Sequence, residues 1–155
     1  MTRRDVVFGP LLVLLAAACG PHLAAAQTPT DPEALPEVLA GTTWRLVEFR
    51  SSDDGIGVQR PTDASRYTMS LDESGMVSMR LDCNWARGTW TATVTGASFG
   101  FGELRVTRAL CQQPSLDEQI ARHAEFVSSF FLRDGLLFLN LVADGGTYVW
   151  EPLRD

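Results

Sequence analysis

Two cysteines, Cys83 and Cys111, constrain the fold of this chain more than any other feature. Both follow a segment typical of an export signal, and an exported domain folds in an oxidising compartment, where such a pair most simply forms a disulfide. Closing a loop of about 28 residues stabilises a domain by roughly 3–4 kcal/mol in the chain-entropy model. Small domains have only about 5–15 kcal/mol of stability in total. A bond between these cysteines would therefore be a large part of what holds the domain together.

Two other uses of the cysteine pair stay open from the sequence alone. A metal site would need further ligands, and His123 is the one histidine that follows the export segment. A redox-active pair more often has the CxxC spacing, which these residues lack. We therefore expect a structural disulfide and no metal or other cofactor. For His123 itself we expect a partly exposed helical position without a catalytic role, since no companion residue is in view.

Residues 1–26 predict a signal peptide. Two arginines precede an apolar run over residues 6–18, which is shorter than the roughly 20 residues of a membrane-spanning helix. Small residues before Gln27 fit ordinary cleavage, which predicts a periplasmic or secreted protein. The alternative is that Cys19, which ends a sequence similar to a bacterial lipobox, is lipidated. The protein would then be an outer-membrane lipoprotein that contacts the membrane only through this lipid.

The charge of the chain limits its partners. Asp and Glu number 19 against 13 basic residues, all of them arginine, and the formal net charge is −6 at pH 7. Phosphate backbones and anionic lipid surfaces would repel such a chain, so we expect no nucleic-acid partner. An acidic surface suits solubility or a basic partner.

Residues 27–38, rich in threonine and proline, predict a flexible leader, and residues 39–155 predict a single domain. In that domain short segments with alternating or β-branched and aromatic residues lie between Gly and Asp turn signals. A long irregular loop is expected over residues 50–66, and a turn over residues 82–88. The segments predict strands at 44–49, 67–71, 76–81, 89–95, 99–106, 130–133, 136–142 and 147–150.

One helix is expected between the early and the late strands. Ser115, with Glu118 three residues later, forms a capping-box pattern that predicts a helix start at Ser115. Apolar residues then recur at near-helical spacing: Leu116, Ile120, Ala124, Val127 and Phe131. The order of elements predicts an α+β fold: a curved antiparallel sheet or incomplete small β-barrel, with one helix inserted before the C-terminal strands.

Three short motifs, in order, resemble those of the META domain family, which includes the heat-shock lipoprotein HslJ. The first spans residues 41–46 and contains Trp44, and the other two surround the cysteines. Asp82 stands where the family usually has glycine. The motif residues are Cys83, Asn84, Gly88 and Trp90 in the second motif, and Thr107, Arg108 and Cys111 in the third.

The resemblance covers roughly residues 39–152 and implies a compact antiparallel fold and an envelope address, but no agreed reaction. No nucleophile elbow, zinc-protease, phosphate-loop or EF-hand motif is present in the sequence. We therefore expect a protein that is not an enzyme, and that binds an unidentified envelope protein or supports envelope stress tolerance.

A different class of function stays open. An acidic domain with a curved sheet could be a small-ligand carrier, or an inhibitor of a basic secreted enzyme such as lysozyme. A carrier needs a cavity inside the sheet, whereas a barrel filled with side chains leaves only its surface for recognition.

Overall fold

The computed structural model describes residues 37–153. The predicted signal peptide, Cys19 and most of the predicted leader lie outside these residues. None of the helices in the described part has the length and apolar character needed to cross a bilayer.

The described chain forms ten strands and one α-helix, with short 3₁₀ turns at Ala64–Arg66, Ala124–Phe126 and Val142–Asp144. Alternating burial along the longer strands follows the alternation in the sequence. The elements are β1 (Thr42–Arg50), β2 (Val58–Gln59), β3 (Tyr67–Leu71), β4 (Met76–Leu81), β5 (Asn84–Thr93), β6 (Ser98–Phe101), β7 (Arg105–Val106), α1 (Asp117–His123), β8 (Val127–Arg133), β9 (Leu136–Leu141) and β10 (Thr147–Pro152).

Antiparallel pairing closes the sheet into a barrel. The strands pair in the order β1-β3-β4-β5-β6-β8-β9-β10, and β10 pairs back onto β1 from Trp44↔Pro152 to Arg50↔Thr147. The barrel-like α+β prediction is confirmed, but the incomplete barrel is wrong. Closure leaves no long unpaired edge between the first and last strands. The amino-acid pattern shows where strands lie and not which of them become neighbours, so it could not reveal this pairing.

The barrel wall is weakest between β6 and β8. The single register pair here is Ser98↔Ser129, and the N–H of Phe130 also donates to the carbonyl of Ala97 at 2.9 Å. Beyond this short seam β7 continues along β5, and residues of β7 and of α1, the helix that precedes β8, line the same groove. The seam therefore opens into a gap between β7 and α1.

Large side chains fill the interior of the barrel. Ile120 of α1 packs into the same core, so the helix plugs one side of the barrel. The space left between these side chains and α1 is about 10 Å³, enough for one water molecule at most. The largest fully buried side chains are Trp90, Trp150, Leu39, Leu46, Met69, Leu71, Met79, Leu81, Leu137 and Leu139.

The helix is shorter than its apolar spacing predicts. It begins at Asp117 and ends at His123, and Val127 and Phe131 lie in β8 instead. The segment Val-Ser-Ser-Phe-Phe is rich in residues that favour strands, and its pairing with β9 outweighs the helical spacing. Ile120 and Ala124 are buried, as expected from the stripe.

The predicted capping box does not form. The N-cap residue is Leu116, and Glu118 does not bond to the N–H of Ser115, which donates to Oε1 of Gln113 at 3.0 Å. The hydroxyl of Ser115 does accept from the N–H of Asp117, at 3.3 Å. Ser115 therefore supports the first turn, but the N-cap lies one residue later than the predicted N-cap at Ser115.

Two predicted irregular segments contain strands. Residues 50–66 include β2 and a 3₁₀ turn, and β5 begins at Asn84 within the segment expected to be a turn. The turn itself consists of Asp82 and Cys83. Asp82 has φ = 59°, in the left-handed region that glycine adopts most easily.

Candidate functional site

The disulfide predicted between Cys83 and Cys111 is present. The S–S distance is 2.04 Å and the Cα atoms are 5.5 Å apart. The bond joins the turn before β5 to the irregular segment between β7 and α1. It therefore holds that segment against the barrel, close to the gap in the wall.

Asn84 anchors the same segment from inside. Its side chain is only 3% exposed, and Nδ2 donates to the carbonyl of Ala109 at 2.9 Å and to Oδ2 of Asp117 at 2.8 Å. Oδ1 accepts from the N–H of Ala109 at 2.8 Å and from the hydroxyl of Thr107 at 2.9 Å. All four capacities of the amide are used. The asparagine of the second motif thus fastens the third motif and α1 to β5.

Thr107 completes the link between the two motifs. Its hydroxyl accepts from the N–H of Trp85 at 2.9 Å, and its own N–H donates to the carbonyl of Trp85 at 2.9 Å. Arg108 instead points outward and lines the gap beside α1. In the third motif, Thr107 and Cys111 therefore hold the structure together, whereas the Arg108 side chain is available at the surface.

Gly88 allows a close backbone approach. A Cβ at this position would lie 2.5 Å from the carbonyl oxygen of Glu103 and 2.7 Å from Cδ2 of Leu104. The φ angle of Gly88 is not positive, so the reason for glycine is space and not backbone strain. The chain from β6 to β7 can approach β5 this closely only because this side chain is missing.

The two motif tryptophans belong to the core. Nε1 of Trp44 donates to the hydroxyl of Thr42 at 2.7 Å, and Nε1 of Trp90 donates to the carbonyl of Asp72 at 3.1 Å. Both rings are buried. The structure therefore does not bring Trp44 or Trp90 to the segment held by the disulfide.

The gap in the barrel wall is a groove of about 520 Å³, which we call the β7–α1 groove. Its floor is apolar, since Leu104, Val106 and Ala121 pack on the core. Leu110 lies at its rim and is 98% exposed. The lining residues are Asn84, Leu104, Val106, Thr107, Arg108, Ala109, Leu110, Asp117, Glu118, Ala121, Arg122 and Glu125.

Asp117 is a buried acid at the inner end of the groove. It is 6% exposed, and Oδ2 is held by Asn84, while no hydrogen bond from a described residue reaches Oδ1. On the helix, Glu118 pairs with Arg122 at 3.7 Å. Sequence analysis missed Asp117, because its place in the first turn of a helix predicts an exposed residue that favours the helix dipole.

A second polar pair lies on another face of the helix. Nδ1 of His123 is 2.8 Å from the hydroxyl of Tyr148, and both rings contact Phe49. Burial, and to a lesser extent the Arg122 guanidinium, lowers the pKa of His123 below its ordinary value of 6.5. Burial also raises the pKa of Tyr148. The pair is therefore neutral at pH 7, and it forms only through folding, since β10 supplies the tyrosine.

Metal binding finds no support in residues 37–153, where no three His, Cys, Asp or Glu side chains are placed to hold an ion. His123 has the tyrosine hydroxyl as its one side-chain hydrogen-bond partner among these residues. The β7–α1 groove itself combines an apolar floor, the Asp117 carboxylate and charged rims.

The model of the META domain family matches residues 37–151. The chain belongs to the META domain family. This confirms the resemblance carried by the three motifs, and it assigns nearly all of the described residues to one META domain.

Solved structures with a similar fold include two bacterial proteins. A protein from Burkholderia xenovorans, studied by NMR, has a TM-score of 0.62 and 20% sequence identity, over 97% of this chain and 100% of that chain. A DUF4847 family protein from Bacteroides vulgatus has a TM-score of 0.56 and 11% identity, over 77% of this chain and 97% of that chain. At these identities the likeness concerns the fold. No curated protein matches the chain.

Proposed function

We propose that this META domain is a non-catalytic binding module of the bacterial envelope, and that its β7–α1 groove holds a protein partner. The observation that carries the proposal is the position of Leu110. Its side chain is 98% exposed at the rim of the groove, on a segment fastened by the disulfide and by Asn84. A large apolar side chain held rigidly at the edge of a groove is typical of a protein-binding anchor.

The family motifs support the same proposal. Six hydrogen bonds and one disulfide are concentrated on the short segment from Thr107 to Cys111, although it forms no part of the closed barrel. A surface segment that only connected β7 to α1 would not need this degree of fixation. Pre-ordering a binding segment removes an entropic cost of association.

The barrel interior gives no support to a small-ligand carrier. The cavity of about 10 Å³ is far below the several hundred Å³ of ordinary ligand sites. The other alternative, inhibition of a basic secreted enzyme, is supported by the net charge of −6 and by the carboxylates that line the groove. An assay of lysozyme in the presence of the purified protein tests it, and unchanged activity contradicts it.

Export is part of the proposal. A signal peptide over residues 1–26 would deliver the domain to the periplasm or outside the cell, and lipidation of Cys19 would deliver it to the outer membrane. Mass spectrometry of the mature protein separates the two routes. We expect an N-terminus at Gln27, and diacylglycerol on Cys19 would contradict that choice.

Site-specific photo-crosslinking tests the binding proposal. A photoreactive amino acid at Leu110 is compared with the same amino acid at Val94, which is 69% exposed on the β5–β6 hairpin and outside the groove. Both proteins are expressed in the native host and irradiated during heat and envelope stress. We expect a discrete product from position 110 and none from position 94. Products from neither position, or equal products from both, would contradict the proposal.

A further inference from the structure

We propose that the β7–α1 groove binds an extended peptide segment that pairs with the outer edge of β7 and places a basic side chain on Asp117. This inference rests on the proposed function, because it specifies the segment that a protein partner would insert. Three features carry it: the free strand edge, the apolar floor and the half-satisfied buried carboxylate.

The outer edge of β7 has backbone groups that point into the groove. Ala86 pairs with Val106 and Arg87 with Arg105, while the N–H of Thr107 donates to the carbonyl of Trp85. In an antiparallel ladder, bonded and non-bonded pairs alternate, so the Ala86–Val106 pair is non-bonded. The N–H and C=O of Val106 therefore point away from β5. Within the described residues β5 is the one strand that pairs with β7.

On the side of the gap, β7 has no neighbouring strand among the described residues. β6 and β8 meet at Ser98↔Ser129, and the wall then separates, with β7 on one side and α1 on the other. An extended segment lying along β7 would continue the sheet across this gap. Such strand addition draws its affinity from backbone hydrogen bonds, and pockets for alternate side chains give specificity.

The floor and the buried acid specify side chains of opposite kinds. Leu104, Val106 and Ala121 form an apolar floor, which suits a small aliphatic residue of the segment. Asp117 has one oxygen bound to Asn84 and one without a hydrogen bond from any described residue. This second oxygen is not one of the fully buried unpaired polar atoms of the described residues, so it stays accessible from the groove, and guanidinium is the donor that fits a carboxylate best.

The remaining charges agree with a basic occupant. Three carboxylates, those of Asp117, Glu118 and Glu125, line the groove against the two guanidinium groups of Arg108 and Arg122. Arg122 is already paired with Glu118, and the chain as a whole is acidic. A segment that alternates aliphatic and basic residues therefore matches both the floor and the charge. An acidic segment would meet the unbonded oxygen of Asp117 and be repelled.

The test uses the mature protein and a peptide with an N-terminal fluorescein label, fluoresceinyl-Val-Arg-Val-Arg-Val-amide, whose binding is measured by fluorescence anisotropy. Two altered peptides serve as probes: one with citrulline for arginine, which keeps the shape without the charge, and one with N-methylated backbone at alternate residues. The protein variant is Asp117→Asn, whose amide oxygen can still accept from Asn84. Glu73→Gln, on the exposed turn between β3 and β4, is the matched control for charge.

We expect the citrulline peptide to bind the wild-type protein at least about tenfold more weakly than the arginine peptide does. The Asp117→Asn protein should bind the two peptides with equal affinity. Backbone methylation should abolish binding, because it removes the pairing with Val106. Glu73→Gln should bind like the wild type. Equal affinity for the arginine and citrulline peptides, binding of the methylated peptide, or no binding of the arginine peptide at about 1 mM would each overturn the inference. The peptide comparisons keep it falsifiable even if Asp117→Asn does not fold.

The peptide-binding test of this inference can fail while the crosslinking test of the proposed function succeeds. A crosslink from position 110 together with equal affinity for the two peptides would leave the binding module standing and remove the basic extended segment. A concentration-dependent dimer in light scattering, with a crosslink from position 110 to the same chain, would identify a second copy as the occupant and overturn the inference.

Discussion

Asn84 donates a hydrogen bond to the carboxylate of Asp117 at 2.8 Å, across 33 positions of the chain. The asparagine is the first residue of β5 and the aspartate is the first residue of α1. Because the adjoining residue, Cys83, is bonded to Cys111, the two family motifs and the helix form one cross-linked unit beside the β7–α1 groove. Several measurable consequences follow from this arrangement.

Removal of the disulfide should destabilise the domain. We expect the Cys83→Ser, Cys111→Ser double variant to lose about 3–4 kcal/mol of unfolding free energy, since the closed loop of 28 positions is released in the unfolded chain. Urea denaturation with and without reductant measures this loss. The control is the variant itself, which reductant should not affect. A wild-type midpoint that is the same in reducing and oxidising buffer would contradict the prediction.

The Asn84→Ala variant should lose about 3 kcal/mol, because it leaves the buried Asp117 carboxylate and both backbone groups of Ala109 without their partner. Asn140→Ala is the matched control. Its amide bonds only the hydroxyls of Ser129 and Thr147, and it is not fully buried, so a loss of about 1 kcal/mol is expected. Urea denaturation measures the loss of unfolding free energy in both variants. Equal losses would contradict a larger stabilising contribution from the Asn84 hydrogen bonds.

Gly88→Ala should cost about 1–3 kcal/mol through overpacking against the backbone of Glu103. Gly100→Ala provides the comparison, since the nearest atom to its added Cβ is Oγ1 of Thr91 at 3.9 Å. Thermal unfolding of both proteins checks the prediction. We expect Gly100→Ala to melt close to the wild type, and a Gly88→Ala protein that did the same would refute the role of close approach.

Stability should depend on the ionisation of His123. Folding lowers the pKa of this imidazole below 6.5, because of burial and then of Arg122, so the unfolded chain binds the proton more tightly. The stabilising contribution is therefore complete above about pH 6.5 and is lost as the pH falls through the lower folded value.

The matching variant is His123→Gln, which does not titrate but keeps a polar side chain next to Tyr148. Urea denaturation at several pH values between 5 and 8 should show a fall in wild-type stability on acidification that is smaller in the variant. Identical pH profiles for the two proteins would contradict the assignment of this change to His123.

Much of the local structure could be predicted from residue types. Alternating and β-favouring residues located β1, β3, β4 and the second half of β5, and turn residues such as Asp134 and Gly135 separated β8 from β9. The cysteine pair followed from the export signal and the compartment that it implies. The strand and turn predictions succeeded because they depend on neighbours in the chain, whereas the disulfide prediction came from the compartment and not from local order.

The failures concern distant contacts. Residues 127–131 keep a helical spacing of apolar side chains, yet pairing with β9 makes them a strand. Asp117 was not singled out from the sequence, and it is Asn84 and the disulfide segment that bury it. Neither outcome has a local signal, since each is decided by a partner far away in the chain.

The sequence by itself determined the family, the class of fold and the two cysteines that bond. Each of these depends on residue identity and short-range order. Only the tertiary structure decided that β10 returns to β1, that side chains fill the barrel, and that β7 and α1 stand apart with a buried carboxylate between them. The physical reason is that closure, packing and desolvation are properties of residues brought together in space, which no stretch of the chain contains alone.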